Sequence, residues 1–198
     1  MIDSYLRSPY QKIIINPILR TPILKKTVPN TLTTLALLTG LLTGYFLFSQ
    51  RITLSIVFLV LSGFLDTLDG SLARHLHKTS DIGAAFDIFS DRVVETAVII
   101  GLFLYDPTRG LQTLLMLASS YLCVTSFLVV GIFSGKSSEK SFHYSPGIIE
   151  RAEAFIFFFV MILFPNLFST LAYLYSFLIL LTAVIRMYQF YIKERQSL

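Results

Sequence analysis

Six apolar runs fill most of this chain, at about 31–49, 52–74, 82–105, 111–134, 147–164 and 168–190. A lipid interior offers backbone N–H and C=O groups no water, so a spanning segment must satisfy them internally. Runs of ~20 residues do this as α-helices, which match the ~30 Å hydrocarbon layer at 1.5 Å per residue. The breaks are short and hold turn residues: Ser49-Gln50-Arg51, Asp106-Pro107-Thr108-Arg109-Gly110 and Pro165-Asn166. Only Gly135 to Pro146 is longer, and it is polar and basic. The expected fold is all-α, an integral membrane bundle of six transmembrane helices. With 54% of 198 residues hydrophobic and 14% charged, no separate soluble domain fits.

The basic residues set an expected orientation. Arg7, Lys12, Arg20, Lys25 and Lys26 precede the first run, and Arg74 and Lys78 follow the second. Lys136, Lys140 and Arg151 lie between the fourth and fifth, and Lys193 and Arg195 in the tail. The opposite side has only Arg51 and Arg109. The positive-inside rule then places both termini in the cytoplasm. Residues 1–30 are basic, broken by Pro9, Pro17 and Pro22, and interleaved with Tyr5, Leu6, Tyr10, Ile13 to Ile15, Ile18 and Leu19. They are expected to form a juxtamembrane interfacial helix on the inner leaflet, without a signal peptide. The net charge of +4 is dispersed, which fits loops facing anionic lipid and not a nucleic-acid partner. One cysteine, Cys123, excludes an intrachain disulfide.

Against this background stand four aspartates in two adjacent runs: Asp66, Asp69, Asp87 and Asp91. An ionised side chain at mid-span costs roughly 2.5–3.5 kcal/mol on insertion scales, so four of them need a function. Asp66 and Asp69 are i, i+3 and share a helix face, which Gly70 and Arg74 extend. Gly83, Asp87 and Asp91 fall at i, i+4 and i+8 and form one stripe on the next helix. His75 to Ile82 reverse the chain between them, so the two helices can pack antiparallel with the carboxylates converging. Converging carboxylates repel unless cations intervene. An all-oxygen set suits Mg²⁺ or Mn²⁺. His75 and His77 sit in the turn and His143 is distant, so no zinc set is expected. Two such ions could clamp a diphosphate. Gly70, Ala73 and Gly83 leave room for a ligand near the backbone, and Arg74 offers a fork for phosphate oxygens.

The pattern D-x-x-D-G-x-x-A-R-x8-G-x-x-x-D-x-x-x-D resembles the signature of the CDP-alcohol phosphotransferase (CDP-alcohol phosphatidyltransferase) family, in its bacterial CDP-diacylglycerol-using type. Pro29-Asn30 opening the first run also fits that family. The resemblance implies a six-span catalytic membrane domain over residues 31–198. It implies transfer of a phosphatidyl group from CDP-diacylglycerol to a small alcohol acceptor, with release of CMP. Asp66, Asp69, Asp87 and Asp91 would be the metal ligands, and Asp91 also the general base. Gly70, Ala73, Arg74 and Gly83 would form the cytidine diphosphate pocket. It further implies a homodimer in a bacterial inner membrane, its active site facing the cytoplasm. Two rival functions stay open: a membrane prenyltransferase with a Mg²⁺-bound diphosphate, and a divalent-cation transporter with an acidic intramembrane site. Neither needs Gly70, Ala73 and Gly83 at these spacings.

Other residues are less determined by the sequence. Lys136, Lys140, Arg151 and Arg186 are candidates for an acceptor pocket, and as cations they favour a phosphorylated polyol such as glycerol 3-phosphate or inositol phosphate. Arg186 lies within the last run and has a second reading, a salt bridge to Glu95 or Glu153. Glu95 continues the Asp87–Asp91 stripe and either tunes Asp91, contacts the acceptor, or pairs with Arg92 or Arg186. Arg92 is expected to point away from the stripe and pair with another span. Phe155, Phe157, Phe158 and Phe159 read as packing or lipid-facing. Tyr45, Tyr105, Tyr173 and Tyr175 read as one interfacial belt, and Tyr5, Tyr10, Tyr144, Tyr188 and Tyr191 as the other. Gly40 and Gly44 would permit a close helix contact.

Overall fold

The computed structural model describes residues 11–19, 21, 24, 27–134, 148–149 and 151–196. The basic loop with Lys136, Lys140 and His143 lies outside them, as does much of the expected interfacial segment. Six long helices follow the six apolar runs: α1 (Pro29–Phe48), α2 (Ile52–His75), α3 (Asp81–Tyr105), α4 (Gly110–Ser134), α5 (Arg151–Leu163) and α6 (Phe168–Gln196). The described residues contain no strand.

Local chemistry sets the boundaries. Val28 is extended and Pro29 opens α1, where its missing N–H costs nothing. Thr34 and Thr39 return their hydroxyls to carbonyls one turn back, Asn30 O at 2.9 Å and Leu35 O at 2.8 Å. Hydroxyls in an apolar helix are thereby satisfied without water. Between α1 and α2 the chain turns through Gln50 at φ 57°. Ser80 caps α3 by accepting the Gly83 N–H at 3.1 Å. After α3, Asp106 accepts from the Thr108 hydroxyl at 2.6 Å and from Arg109 Nε at 3.1 Å. These donors, the Thr108 hydroxyl foremost, hold the Asp106 carboxyl below the usual carboxylate range. Arg109 is buried, with its guanidinium 4.3 Å from the Phe168 ring centroid, and so ties this turn to the start of α6.

Packing divides the helices into two groups. α1 packs against both α2 and α3, and α4 packs mainly against α6. α5 touches α2, α3 and α6 and joins the groups. The α1–α3 contact is a seam of small residues, as Gly40 and Gly44 suggested. A Cβ on Gly44 would lie 2.5 Å from Ala97 O, and one on Gly101 would lie 2.8 Å from Gly44 Cα. Backbones this close exclude any side chain between them. The main core runs through Leu59, Val98, Leu102, Met116, Phe158 and Tyr175. A smaller cluster of Ile15, Leu19, Leu32, Leu68 and Leu72 fastens the N-terminal helical stretch to α1 and α2.

Four segments are long and apolar enough to cross a membrane: Pro29–Phe48, Ile52–His75, Pro107–Ser134 and Pro165–Gln196. The chain is thus an integral membrane protein by its helices. The two remaining long helices differ for physical reasons. α3 carries Asp81, Asp87, Asp91, Arg92 and Glu95. α5 has only 13 residues, about 20 Å at the helical rise.

Candidate active site

The site lies where the C-terminal end of α2 meets the N-terminal end of α3. Asp66, Asp69 and Asp87 each offer a carboxylate oxygen, and these oxygens lie within 4.8 Å of one another. The three carboxylates therefore converge as the spacing predicts, but not through the expected pairing: α2 and α3 make little direct contact, and α1, which packs on both, holds their ends together. Asp69 is 4% exposed, and its Oδ2 has no hydrogen-bond partner. Asp87 Oδ1 is also buried without a hydrogen bond. Buried carboxylate oxygens left unpartnered are costly, and a hard cation supplies what they lack. The donor set fits a divalent metal. Asp91 stands outside this trio. It and Asp66 both pair with the guanidinium of Arg151, which lies 3.6 Å from Asp87 Oδ1.

Arg151 is the first residue of α5, and its place is set from α6. The Ile148 and Ile149 N–H groups donate to Thr182 Oγ1 at 3.2 and 3.3 Å. Those bonds dock the start of α5 beside the acidic cluster.

Members of the acidic cluster line two cavities, Asp69 and Asp87 the first and Asp91 the second. The first, about 180 Å³, lies among α1, α2 and α3. Its lining includes Asp69, Gly70, Ala73, Arg74, Gly83 and Asp87, with Asn30 and Thr33 from α1 and Lys78 to Ser80 from the turn. A Cβ on Gly83 would sit 3.3 Å from Asn30 Oδ1. The glycine therefore keeps this cavity open. The second cavity, about 190 Å³, lies among α3, α4, α5 and α6. Asp91 enters it, with Arg92, Arg151 and Arg186 as its cations. Arg186 Nη1 donates to Cys123 O at 3.0 Å and Ser126 Oγ at 3.1 Å, while its Nε is buried without a partner.

Two pockets that meet at one acidic cluster can hold two reactants on either side of a transferred group. Comparison with known proteins gives the class. Residues 26–190 match the family model described as CDP-alcohol phosphatidyltransferase. The chain belongs to this family. It is 32% identical over 161 residues to an archaetidylinositol phosphate synthase of Pyrococcus horikoshii, covering 81% of this chain and 82% of that one. Its fold is similar to phosphatidylinositol phosphate synthase of Mycobacterium tuberculosis solved with CDP-DAG bound. That match has a TM-score of 0.74 and 21% identity over 90% of this chain and 94% of that one. A structure of the same mycobacterial protein with manganese and citrate matches with TM-score 0.74 and 23% identity, over 90% of this chain and 89% of that one.

Several residues of this CDP-alcohol phosphatidyltransferase take places the sequence did not indicate. Arg92 pairs with Glu95 on its own helix, not with another span. Its expected direction was wrong because an i, i+3 partner lay within reach. Glu95 is therefore engaged by Arg92 and not by Arg186. Tyr175 is fully buried, not part of an interfacial belt. Its hydroxyl donates to Glu95 Oε1 at 2.5 Å, a partner that burial of a phenol requires. Tyr45, Tyr173, Tyr188 and Tyr191 are exposed as a belt would have them. Phe158 is core. Asn30, Thr33 and Lys78 were missed as pocket residues. The only signal was Asn30, a polar residue at the mouth of an apolar run.

Proposed function

We propose that this enzyme transfers a phosphatidyl group from CDP-diacylglycerol to a phosphorylated polyol and releases CMP. The observation that carries the proposal is the acidic wall shared by a glycine-lined cavity and an arginine-lined one. The first cavity would take the cytidine diphosphate, with Gly70, Ala73 and Gly83 leaving room and Arg74 meeting phosphate oxygens. Asp66, Asp69, Asp87 and Asp91 would hold two Mg²⁺ or Mn²⁺ ions. Bound there, the ions supply charge neutralisation for the diphosphate. The arginine-lined cavity would take the acceptor, with Arg151 and Arg186 facing its phosphate. Lys136 and Lys140 belong to the same proposed pocket but lie outside the described residues.

The chemistry is a single displacement. The acceptor hydroxyl oxygen forms a bond to the lipid-side phosphorus of the diphosphate, and the bond from that phosphorus to the CMP oxygen breaks. Asp91 receives the hydroxyl proton, as its place between cluster and second cavity allows. Phosphoryl transfer needs mainly positioning and charge neutralisation, which this site is built to give. The relatives named as inositol phosphate lipid synthases support an anionic acceptor.

In this reading all six long helices cross the membrane. Asp87, Asp91, Arg92 and Glu95 of α3 line the two cavities, and Asp81 is the first residue of the helix. α5 continues into the turn Pro165–Leu167, so residues 151–167 approach the shortest crossing length of ~17. The positive-inside rule supports both termini and the site facing the cytoplasm, with the N-terminal segment along the inner leaflet, and membership of the family supports a homodimer. The test is CMP release by purified enzyme given CDP-diacylglycerol and a panel of acceptors. Inositol phosphate or glycerol 3-phosphate should react, while free inositol, glycerol and serine should not. Equal rates with free polyols would overturn the phosphorylated acceptor.

A further inference from the structure

In the wall of the second cavity lies a buried polar knot that the reaction does not use directly. Glu95 sits on α3 one turn past Asp91 and is 5% exposed. Its Oε1 accepts from Ser120 Oγ of α4 and from the Tyr175 hydroxyl of α6, each at 2.5 Å. Its Oε2 pairs with Arg92. One carboxylate thus joins three helices from both packing groups. Burying a charge is expensive unless it is paired and hydrogen-bonded, and here both oxygens are engaged.

The arginine at the other end of the pair is less confined. The Arg92 side chain is 38% exposed. It borders the second cavity and also an apolar groove between α1 and α3, lined by Leu41, Val93, Thr96, Ala97 and Ile100. A long cationic side chain with two spaces open to it spreads between them by rotamer. An isolated i, i+3 pair on a helix is too weak to choose between them. Glu95 is different because Ser120 and Tyr175 lock the carboxylate before Arg92 reaches it.

We infer that Glu95, held by Tyr175 and Ser120, is a positioning residue that fixes Arg92 at the wall of the second cavity, where its guanidinium is a third cationic contact for an anionic acceptor. The inference rests on the acceptor reading above. Arg92 touches the acceptor, and Glu95 acts through it. The knot lies on the side of Asp91 away from the donor cavity, so the CDP-diacylglycerol site does not depend on it.

The test is a double-mutant cycle on purified full-length enzyme, with CMP release measured against inositol phosphate and against CDP-diacylglycerol. Arg92→Ala should raise the KM for inositol phosphate about tenfold, the usual effect of losing one charged hydrogen bond to a ligand. Glu95→Gln should raise it comparably, and the double variant no further than Arg92→Ala alone. Tyr175→Phe keeps the ring and should give a smaller rise of about threefold. The KM for CDP-diacylglycerol should hold throughout. Additive effects in the double variant, or equal shifts in both KM values with a lowered Tm, would make the knot a structural strut and overturn the inference. If Glu95→Gln fails to fold, the partly exposed Arg92 still decides: an unchanged acceptor KM in Arg92→Ala overturns it. Wild-type preference among phosphorylated and free polyols reads the acceptor assignment separately.

Discussion

The two cavities share a wall and differ in how they are made. The glycine-lined cavity takes its Gly70, Ala73, Arg74 and Gly83 lining from one helix–turn–helix, with α1 closing the side. The arginine-lined cavity takes Asp91 from α3, Cys123 from α4, Arg151 from α5 and Arg186 from α6. The first is shaped by missing side chains, the second by placed cations. A site made of small residues is sensitive to added volume, most at Gly83, where a Cβ would lie 3.1 Å from Ser80 Oγ and 3.3 Å from Asn30 Oδ1. A site made of arginines depends on whatever aims them, and here that is Thr182 for Arg151 and Ser126 for Arg186.

Five measurements test this contrast. The largest effect concerns the shared wall. Chelation with EDTA should abolish CMP release, and Mg²⁺ or Mn²⁺ should restore it; full activity after exhaustive chelation removes the metal from both sides at once. Next, Asp91→Asn should lower kcat by about 10²–10⁴-fold, the span ascribed to a general base. CDP-diacylglycerol binding should largely survive, since Asn keeps the shape and the Asp66–Asp69–Asp87 cluster is left intact. Near-normal turnover in this variant would move the base elsewhere.

The third and fourth predictions separate the cavities. Arg186→Ala should raise the acceptor KM about 10- to 100-fold, from loss of a charged contact of ~1.5–3 kcal/mol. The KM for CDP-diacylglycerol should stay put. Gly83→Val should do the reverse, raising the CDP-diacylglycerol KM about tenfold, or ~1.4 kcal/mol, because its side chain would meet Asn30 across the opening. If either variant moves both constants together, the cavities are not independent.

The smallest effect tests aim over charge. Thr182→Val keeps the shape but removes the acceptor for two backbone N–H groups at the start of α5. The acceptor KM should rise about two- to fivefold through Arg151, in line with a modest net hydrogen-bond worth. Thr182→Ser should restore it. A Ser variant as impaired as Val would point to packing instead.

What the sequence by itself determined follows from local periodicity. Apolar run length predicted the six helices, because a helix satisfies its own backbone wherever it lies. The i, i+3 and i, i+4 spacings predicted that all four aspartates converge, since residues so spaced share a face; Asp66, Asp69 and Asp87 do, while Asp91 joins them through Arg151. Gly40 and Gly44 announced their seam for the same reason. Only the tertiary structure decided the second cavity. Arg151 and Arg186 are 35 residues apart in the sequence, and no spacing rule aims one helix at another across such a distance. Tyr175 shows the limit most plainly. Its position near a helix end suggested a membrane interface, yet it is buried because Glu95, 80 residues earlier, offers its hydroxyl a partner. Polar groups in an apolar bundle go where their hydrogen bonds can be met, and that is a property of the packed molecule.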